Sequence, residues 1–104
     1  MVDRLRAAGF NWLAFGLESG SERVRDGVDK RFEQDLIYDT VNKTRAAGIS
    51  VVGNYIFGLP DDDLQSMQDT LNMAKDLNVE WANFYSAMAY PGSQLYDQAV
   101  AAGW

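Results

Sequence analysis

The sequence predicts an α/β fold: a partial (β/α) TIM-type barrel fragment with about three parallel strands alternating with helices. Three observations predict it. The triplet Ala-Ala-Gly occurs at 7–9, 46–48 and 101–103, each time after helix-favouring residues and before an apolar one: Phe10, Ile49 and Trp104. An apolar run of strand composition follows each early helix end. Every such run finishes in a polar, glycine-bearing turn: ESGS, GLPDDD or AYPGS.

Glycine after a helix takes the left-handed position that stops it, and the next apolar residue packs back on the last turn. Asn78 in AKDLNVE can do the same. Helices are therefore expected to end near 8, 47, 77 and 102. Strands are expected at WLAFGL (12–17), ISVVGNYIFG (49–58) and WANFYSAM (81–88). Residues 33 to 47 carry Leu36, Ile37, Thr40, Val41 and Thr44 on one helical stripe. Residues 62 to 77 do so with Leu64, Met67, Leu71, Ala74 and Leu77. The resulting order, α-β-α-β-α-β-α, calls for parallel strands with right-handed crossovers. An open doubly wound sheet is the alternative.

Composition narrows the chemistry. The chain has 104 residues, enough for one domain, and a formal net charge of −6. With no basic cluster it suits neither nucleic acid nor anionic membranes. No apolar run approaches the roughly 20 residues that span a bilayer, and the first residues lack a signal-peptide core, so the sequence reads as cytoplasmic. It has no Cys and no His. Thiol nucleophiles, disulfides, Cys/His zinc sites and imidazole acid–base catalysis are excluded within it.

Ligands bind at the carboxyl ends of the strands in such folds. Side chains alternate along a strand. Ala14, Gly16 and Glu18 share the small face of the first run, opposite Leu13, Phe15 and Leu17. The small set suits a barrel lumen, with Glu18 at its rim. In the second run Val52, Asn54, Ile56 and Gly58 oppose Val51, Gly53, Tyr55 and Phe57. The third run is ambiguous. Plainer roles compete at each position. Glu18 can be an exposed strand end, and at least two of Asp61, Asp62 and Asp63 are expected to cap the following helix. Ser19 and Ser21 can shape the next turn. Arg23, Arg25, Lys30 and Arg31 read most simply as a solvated face.

Three stretches in order, GLESGSERV with DKR after it, GISVVGNYIFGLPDDD, and FYSAMAYPGSQLY, resemble the second half of a radical S-adenosylmethionine (radical SAM) barrel. The likeness covers essentially the whole chain. It is strongest to the branch that often carries a cobalamin-binding domain, with methylthiotransferases as neighbours. It implies one partial domain over 1–104: the end of the third helix, then strands four to six with their helices. It also implies S-adenosylmethionine as cofactor, a four-iron four-sulfur cluster in the parent enzyme, and possible cobalamin in another domain. The family's CxxxCxxC motif would lie before Met1, so this chain alone would not ligate the cluster or be active by itself. Its partner would be an N-terminal half-barrel, in the same parent or in another chain.

By position, the resemblance assigns Glu18, with Ser19 beside it, to the ribose or nearby polar groups of the cofactor. Lys30 falls where relatives pair a cation with the methionyl carboxylate. The adenine-contacting GxIxGxxE pattern is met by Ile56 and Gly58, with Asn54 in place of the first Gly and Asp61 in place of the Glu; Asp62 is the alternative register. Backbone at Ala87 and Met88 would lie against the adenine, and YPGS (90–93) matches the branch's turn. Two other readings fit the same residues: a non-enzymatic half-barrel that associates with a partner chain, and a carboxylate-based hydrolase pairing Glu18 with an Asp of 61–63.

Overall fold

The Ala-Ala-Gly triplets end helices as their sequence predicts. The computed structural model describes residues 1–28 and 33–104. In it Gly9, Gly48 and Gly103 have φ of 100°, 85° and 77°. The next residue closes the stop each time: the N–H groups of Phe10, Ile49 and Trp104 donate to the carbonyls of Leu5, Thr44 and Ala99 at 3.1, 3.3 and 2.9 Å. This is the Schellman arrangement, used three times. Asn78 ends the fourth helix at φ 43°.

The elements run α1 (Val2–Ala7), β1 (Trp12–Glu18), α2 (Glu22–Asp26), α3 (Gln34–Ala46), β2 (Ser50–Phe57), α4 (Leu64–Leu77), β3 (Trp81–Ser86) and α5 (Gln94–Ala101). The three strands form one parallel sheet in the order β1-β2-β3. Trp12 pairs with Ser50, start to start, whereas the start of β3, Trp81, pairs with Val52. The β1–β2 register shifts between Gly16 and Glu18. The expected parallel fold and its strands are therefore present. The short helix α2 is additional; five residues are too few for an apolar period to show.

One face of the sheet carries the core. Leu17, Val51 and Tyr55 cluster with Ile37 and Val41 of α3 and with Met73 and Leu77 of α4. Both helices pack on β2. The Tyr55 ring lies back along its own strand: a Cβ at Gly53 would stand 3.2 Å from Tyr55 Cε2. Phe84 of β3 stacks on Tyr55 and Phe57 with centroids 5.2 and 5.6 Å apart. Burial of Tyr55, helped by nearby Tyr38, pushes its hydroxyl up to about 12, so it stays neutral.

The face that α4 buries differs from its leucine stripe. Ser66, Thr70, Met73 and Leu77 point inward, while Leu64 is 85% exposed and Leu71 40%. The cause is a close backbone approach. A Cβ at Gly20 would sit 2.6 Å from the Asp69 carbonyl carbon and 2.7 Å from the Thr70 nitrogen. The β1–α2 turn lies almost on the α4 backbone, and only small polar side chains fit beside it. Thr70 Oγ1 accepts from the Gly20 N–H at 2.9 Å and contacts Ser19 Oγ at 3.2 Å. Leu64 and Leu71 are rotated outward as a result, while Leu77 stays buried.

At the amino ends of the strands, Glu80 ties three elements together. It accepts from the Val51 N–H at 2.7 Å and from Arg45 Nε at 2.9 Å, and Arg45 also donates to the Leu77 carbonyl at 3.2 Å. The Val51 N–H, then Arg45, hold the Glu80 carboxyl below its usual range.

Two outcomes follow for stability. Gly20→Ala forces a methyl into the α4 backbone and costs about 2–3 kcal/mol in urea unfolding. Glu80→Ala strands the Val51 N–H and costs about 1–2 kcal/mol at pH 7. Because the Glu80 pKa is lowered in the folded state, its contribution is present above the ordinary glutamate range and is lost as pH falls through the lowered value. Unfolding at pH 7 and pH 3 is therefore expected to show the variant's deficit shrinking in acid; an equal deficit at both would contradict this role.

Candidate functional site

The second face of the sheet is open. Ala14 and Gly16 of β1, Val52, Asn54 and Ile56 of β2, and Trp81, Asn83 and Tyr85 of β3 alternate away from the core. This is the small-residue side expected to be the lumen, and the structure settles β3, whose composition left its faces ambiguous. Asn83 is its key: it lies in register with Asn54, which lies in register with Gly16. Asn83 Nδ2 donates to Asn54 Oδ1 at 2.9 Å, and Trp81 Nε1 donates to Asn83 Oδ1 at 2.8 Å.

Glu18 stands at the carboxyl end of this face in a left-handed conformation, φ 63°. The Ser19 N–H donates across it to the Leu17 carbonyl at 2.8 Å, a three-residue turn. Only a well-determined site keeps a non-glycine residue there. The turn throws the carboxylate back over the strand: Glu18 Oε1 is 3.1 Å from where a Gly16 Cβ would be. Gly16 thus gives the carboxylate its place on the open face.

The turn is held from below by α2, which the sequence reading missed. Ser21 caps α2 by accepting from the Val24 N–H. Arg25, read as part of a solvated face, is 1% exposed. Its guanidinium donates to the Ser19 carbonyl at 2.7 Å and to Gln34 Oε1 at 2.8 Å. Burial lowers its pKa. Arg23 reaches the other loop, donating to the Asp61 carbonyl at 2.6 Å and to Asp63 Oδ2 at 3.1 Å. One short helix therefore fixes both the Glu18 turn and the β2–α4 loop. The only hint in the sequence was Ser21 followed by Glu22, the start of a capped turn.

Of the three aspartates, at least two of which were expected to cap the helix, only Asp63 does so; Asp62 binds N–H groups of the preceding loop instead. Asp63 is the N-cap of α4, accepting from the Ser66 N–H at 2.7 Å in a capping box. That bond, with Arg23 adding to it, holds its carboxyl below the usual range. Asp62 accepts from the Gly58 and Leu59 N–H groups at 2.8 and 3.3 Å and from Ser66 Oγ. The Asp61 carboxylate lies against Gly27. Asp62 and Asp63 are committed to the loop and the helix start, which removes two of the three candidates for a hydrolase pair with Glu18.

Of the residues singled out by sequence, Glu18, Asn54, Ile56 and Gly58 line the open face and its rim. Ala87 joins them: its N–H donates to the Phe57 carbonyl at 2.8 Å, and its Cβ is 3.9 Å from a Gly58 Cβ position. Met88 follows at the same rim, 63% exposed. Ser19 is not on the face; it is fully buried, and its Oγ is turned to Thr70 and the Ser21 N–H. Lys30 lies outside the described residues. An apolar cleft of about 240 Å³ lies behind β1, lined by Phe15, Leu17, Leu36, Ile37, Thr40 and Val41 among others. It has no ionisable group and marks a gap in the helix layer beside the edge strand. Among the described residues no helix is long and apolar enough to cross a membrane.

Comparison with known proteins gives this geometry a family. The model described as the Radical SAM superfamily matches residues 1–74. An uncharacterized methyltransferase of Pyrococcus horikoshii is 30% identical over 97 residues, 93% of this chain and 21% of the relative. A tRNA-2-methylthio-N(6)-dimethylallyladenosine synthase of Psychrobacter cryohalolentis is 29% identical over 83 residues, 78% of this chain and 17% of the relative. Among solved structures, the Escherichia coli coproporphyrinogen III oxidase, described as a radical SAM enzyme, superposes with a TM-score of 0.80 at 28% identity, over 86% of this chain and 21% of that one. The chain thus spans about a fifth of the length of these relatives. Their names cover different reactions, so the shared element is the superfamily's frame rather than one branch. With more than half of its length matched by the family model, and with the parallel sheet and strand-end turns that the family's fold requires, the chain belongs to the radical SAM superfamily.

Proposed function

We propose that the open face and its rim form part of an S-adenosylmethionine site in a radical SAM enzyme. The observation that carries this reading is the Glu18 carboxylate, held by a strained turn over Gly16 at the carboxyl end of β1. The residues present suit a nucleoside. Gly58 keeps the backbone accessible, since an added Cβ there would meet nothing closer than 3.9 Å, and Gly16 makes room for the Glu18 carboxylate. Ile56 offers an apolar surface for a base, Asn54 an amide, and Glu18 an acceptor for ribose hydroxyls. Gly58, Ala87 and Met88 offer backbone at the rim. Lys30 is proposed, from the resemblance alone, for the methionyl carboxylate.

An iron–sulfur cluster does not fit on this chain. It has no Cys or His, and among the described residues no group of acidic side chains could hold a metal. In the superfamily the cluster and S-adenosylmethionine together supply the radical. The chain's own residues bind and orient: Glu18 and Asn54 fix the nucleoside, while Ile56 and the rim keep water from its base. Cluster ligands belong to the rest of a longer polypeptide or to a partner chain.

The partner reading has its own support. Both β1 and β3 are edge strands, Trp81 and Tyr85 of the open face are 61% and 53% exposed, and Phe84 behind β3 is 43% exposed. Such edges and faces favour association, which the remaining strands of a barrel would satisfy.

Glu18→Ala in the complete polypeptide carrying this segment is expected to weaken S-adenosylmethionine binding about tenfold, the worth of a hydrogen bond to a charged group. Calorimetry measures it, and an unchanged affinity would remove Glu18 from the site.

A further inference from the structure

The hydrogen bonds across the open face have a direction, and one residue sets it. An asparagine carboxamide can face a neighbour with either its oxygen or its nitrogen. Two asparagines side by side, Asn54 and Asn83, would therefore have two equivalent arrangements. Trp81 removes the degeneracy. The indole nitrogen is a donor with no acceptor capacity, and it donates to Asn83 Oδ1 at 2.8 Å. Asn83 must then offer its nitrogen to β2, as it does to Asn54 Oδ1 at 2.9 Å. Asn54 in turn has its oxygen engaged on the β3 side. Its amide nitrogen is then the group left for the side away from β3, where the register partner of Asn54 is Gly16. Gly16 itself has no side chain, and the Glu18 carboxylate lies over it, Oε1 3.1 Å from where a Gly16 Cβ would be. The described residues give that nitrogen no acceptor.

We propose that Trp81 and Asn83 are positioning residues that lock Asn54 with its amide nitrogen toward Gly16, so that the middle of the open face selects ligands presenting a hydrogen-bond acceptor there, such as a ring nitrogen or a carbonyl. The proposal rests on the open face being a ligand face, and not on the identity of the cofactor. Neither Trp81 nor Asn83 would touch the ligand's acceptor; both act through Asn54.

The reverse polarity is accessible by substitution. In Asn83→Asp the carboxylate still accepts from Trp81 but cannot donate. Asn54 then turns its nitrogen to β3 and presents its oxygen to Gly16. In Trp81→Phe the tie-breaker is gone and both arrangements are populated.

The test reads the ligand-free full chain first, by NMR of 15N-labelled protein. In the wild type, the Trp81 indole proton should exchange slowly with solvent and the Asn54 carboxamide protons rapidly. Asn83→Leu should release the Trp81 indole, while Asn83→Asp should leave it bonded and slow the Asn54 carboxamide protons. S-adenosylmethionine is then titrated into each variant. Asn83→Asp should bind about tenfold more weakly because a donor has become an acceptor. Trp81→Phe should bind about twofold more weakly because half the population is competent. Unfolding midpoints of the three variants show whether any loss is merely structural. An indole proton indifferent to Asn83→Leu, or an Asn54 carboxamide unchanged in Asn83→Asp, overturns the proposal. If the ligand-free spectra behave as expected but S-adenosylmethionine perturbs neither Asn54 nor Glu18 in the wild type, the cofactor reading fails and the polarity of the row stands.

Discussion

Everything on the open face depends on the packing of α3 and α4 against the back of β2. A strand alternates, so burying Val51, Gly53 and Tyr55 under two helices commits Val52, Asn54 and Ile56 to the opposite side. Tyr55 is the wedge of that contact. It is fully buried, stacked on Phe84, and seated over Gly53 because no side chain there competes with its ring. Two glycines thus serve opposite faces. Gly53 admits an aromatic ring behind the sheet, and Gly16 admits a carboxylate in front of it.

The rim is braced from the same side. The β1–α2 turn rests on the α4 backbone through Gly20, and α2 sends Arg25 to one loop and Arg23 to the other. The left-handed Glu18 is therefore embedded in contacts that reach three helices. Strain at a single residue is tolerable under such constraint, and its cost, about 1–3 kcal/mol for a residue of this kind, falls on the residue whose carboxylate lies over the open face.

Much of this was legible in the sequence because it is local. Helix stops need only a glycine and the next apolar residue, and the three Ala-Ala-Gly triplets supplied both. Glu18, Asn54 and Gly58 were legible because alternation and the strand ends place them. What was illegible is long-range. The inward face of α4 is set by the approach of Gly20, roughly fifty positions away along the chain, so Ser66 and Thr70 face inward there and Leu64 and Leu71 do not. The burial of Arg25 depends on a carbonyl that only the Glu18 turn exposes. The faces of β3 depend on an asparagine pair across strands. No period within one segment reports any of these.

The stagger of the strands carries a last consequence. β3 begins opposite Val52, two residues into β2, and β1 gains a residue on β2 between Gly16 and Glu18. A flat sheet with level strands has no reason to bend round on itself. Closure requires shear, in which successive strands climb past one another and tilt against a common axis. This three-stranded arc already climbs. A sheet whose register is already offset in this way offers any further strand of a barrel a pitch to continue.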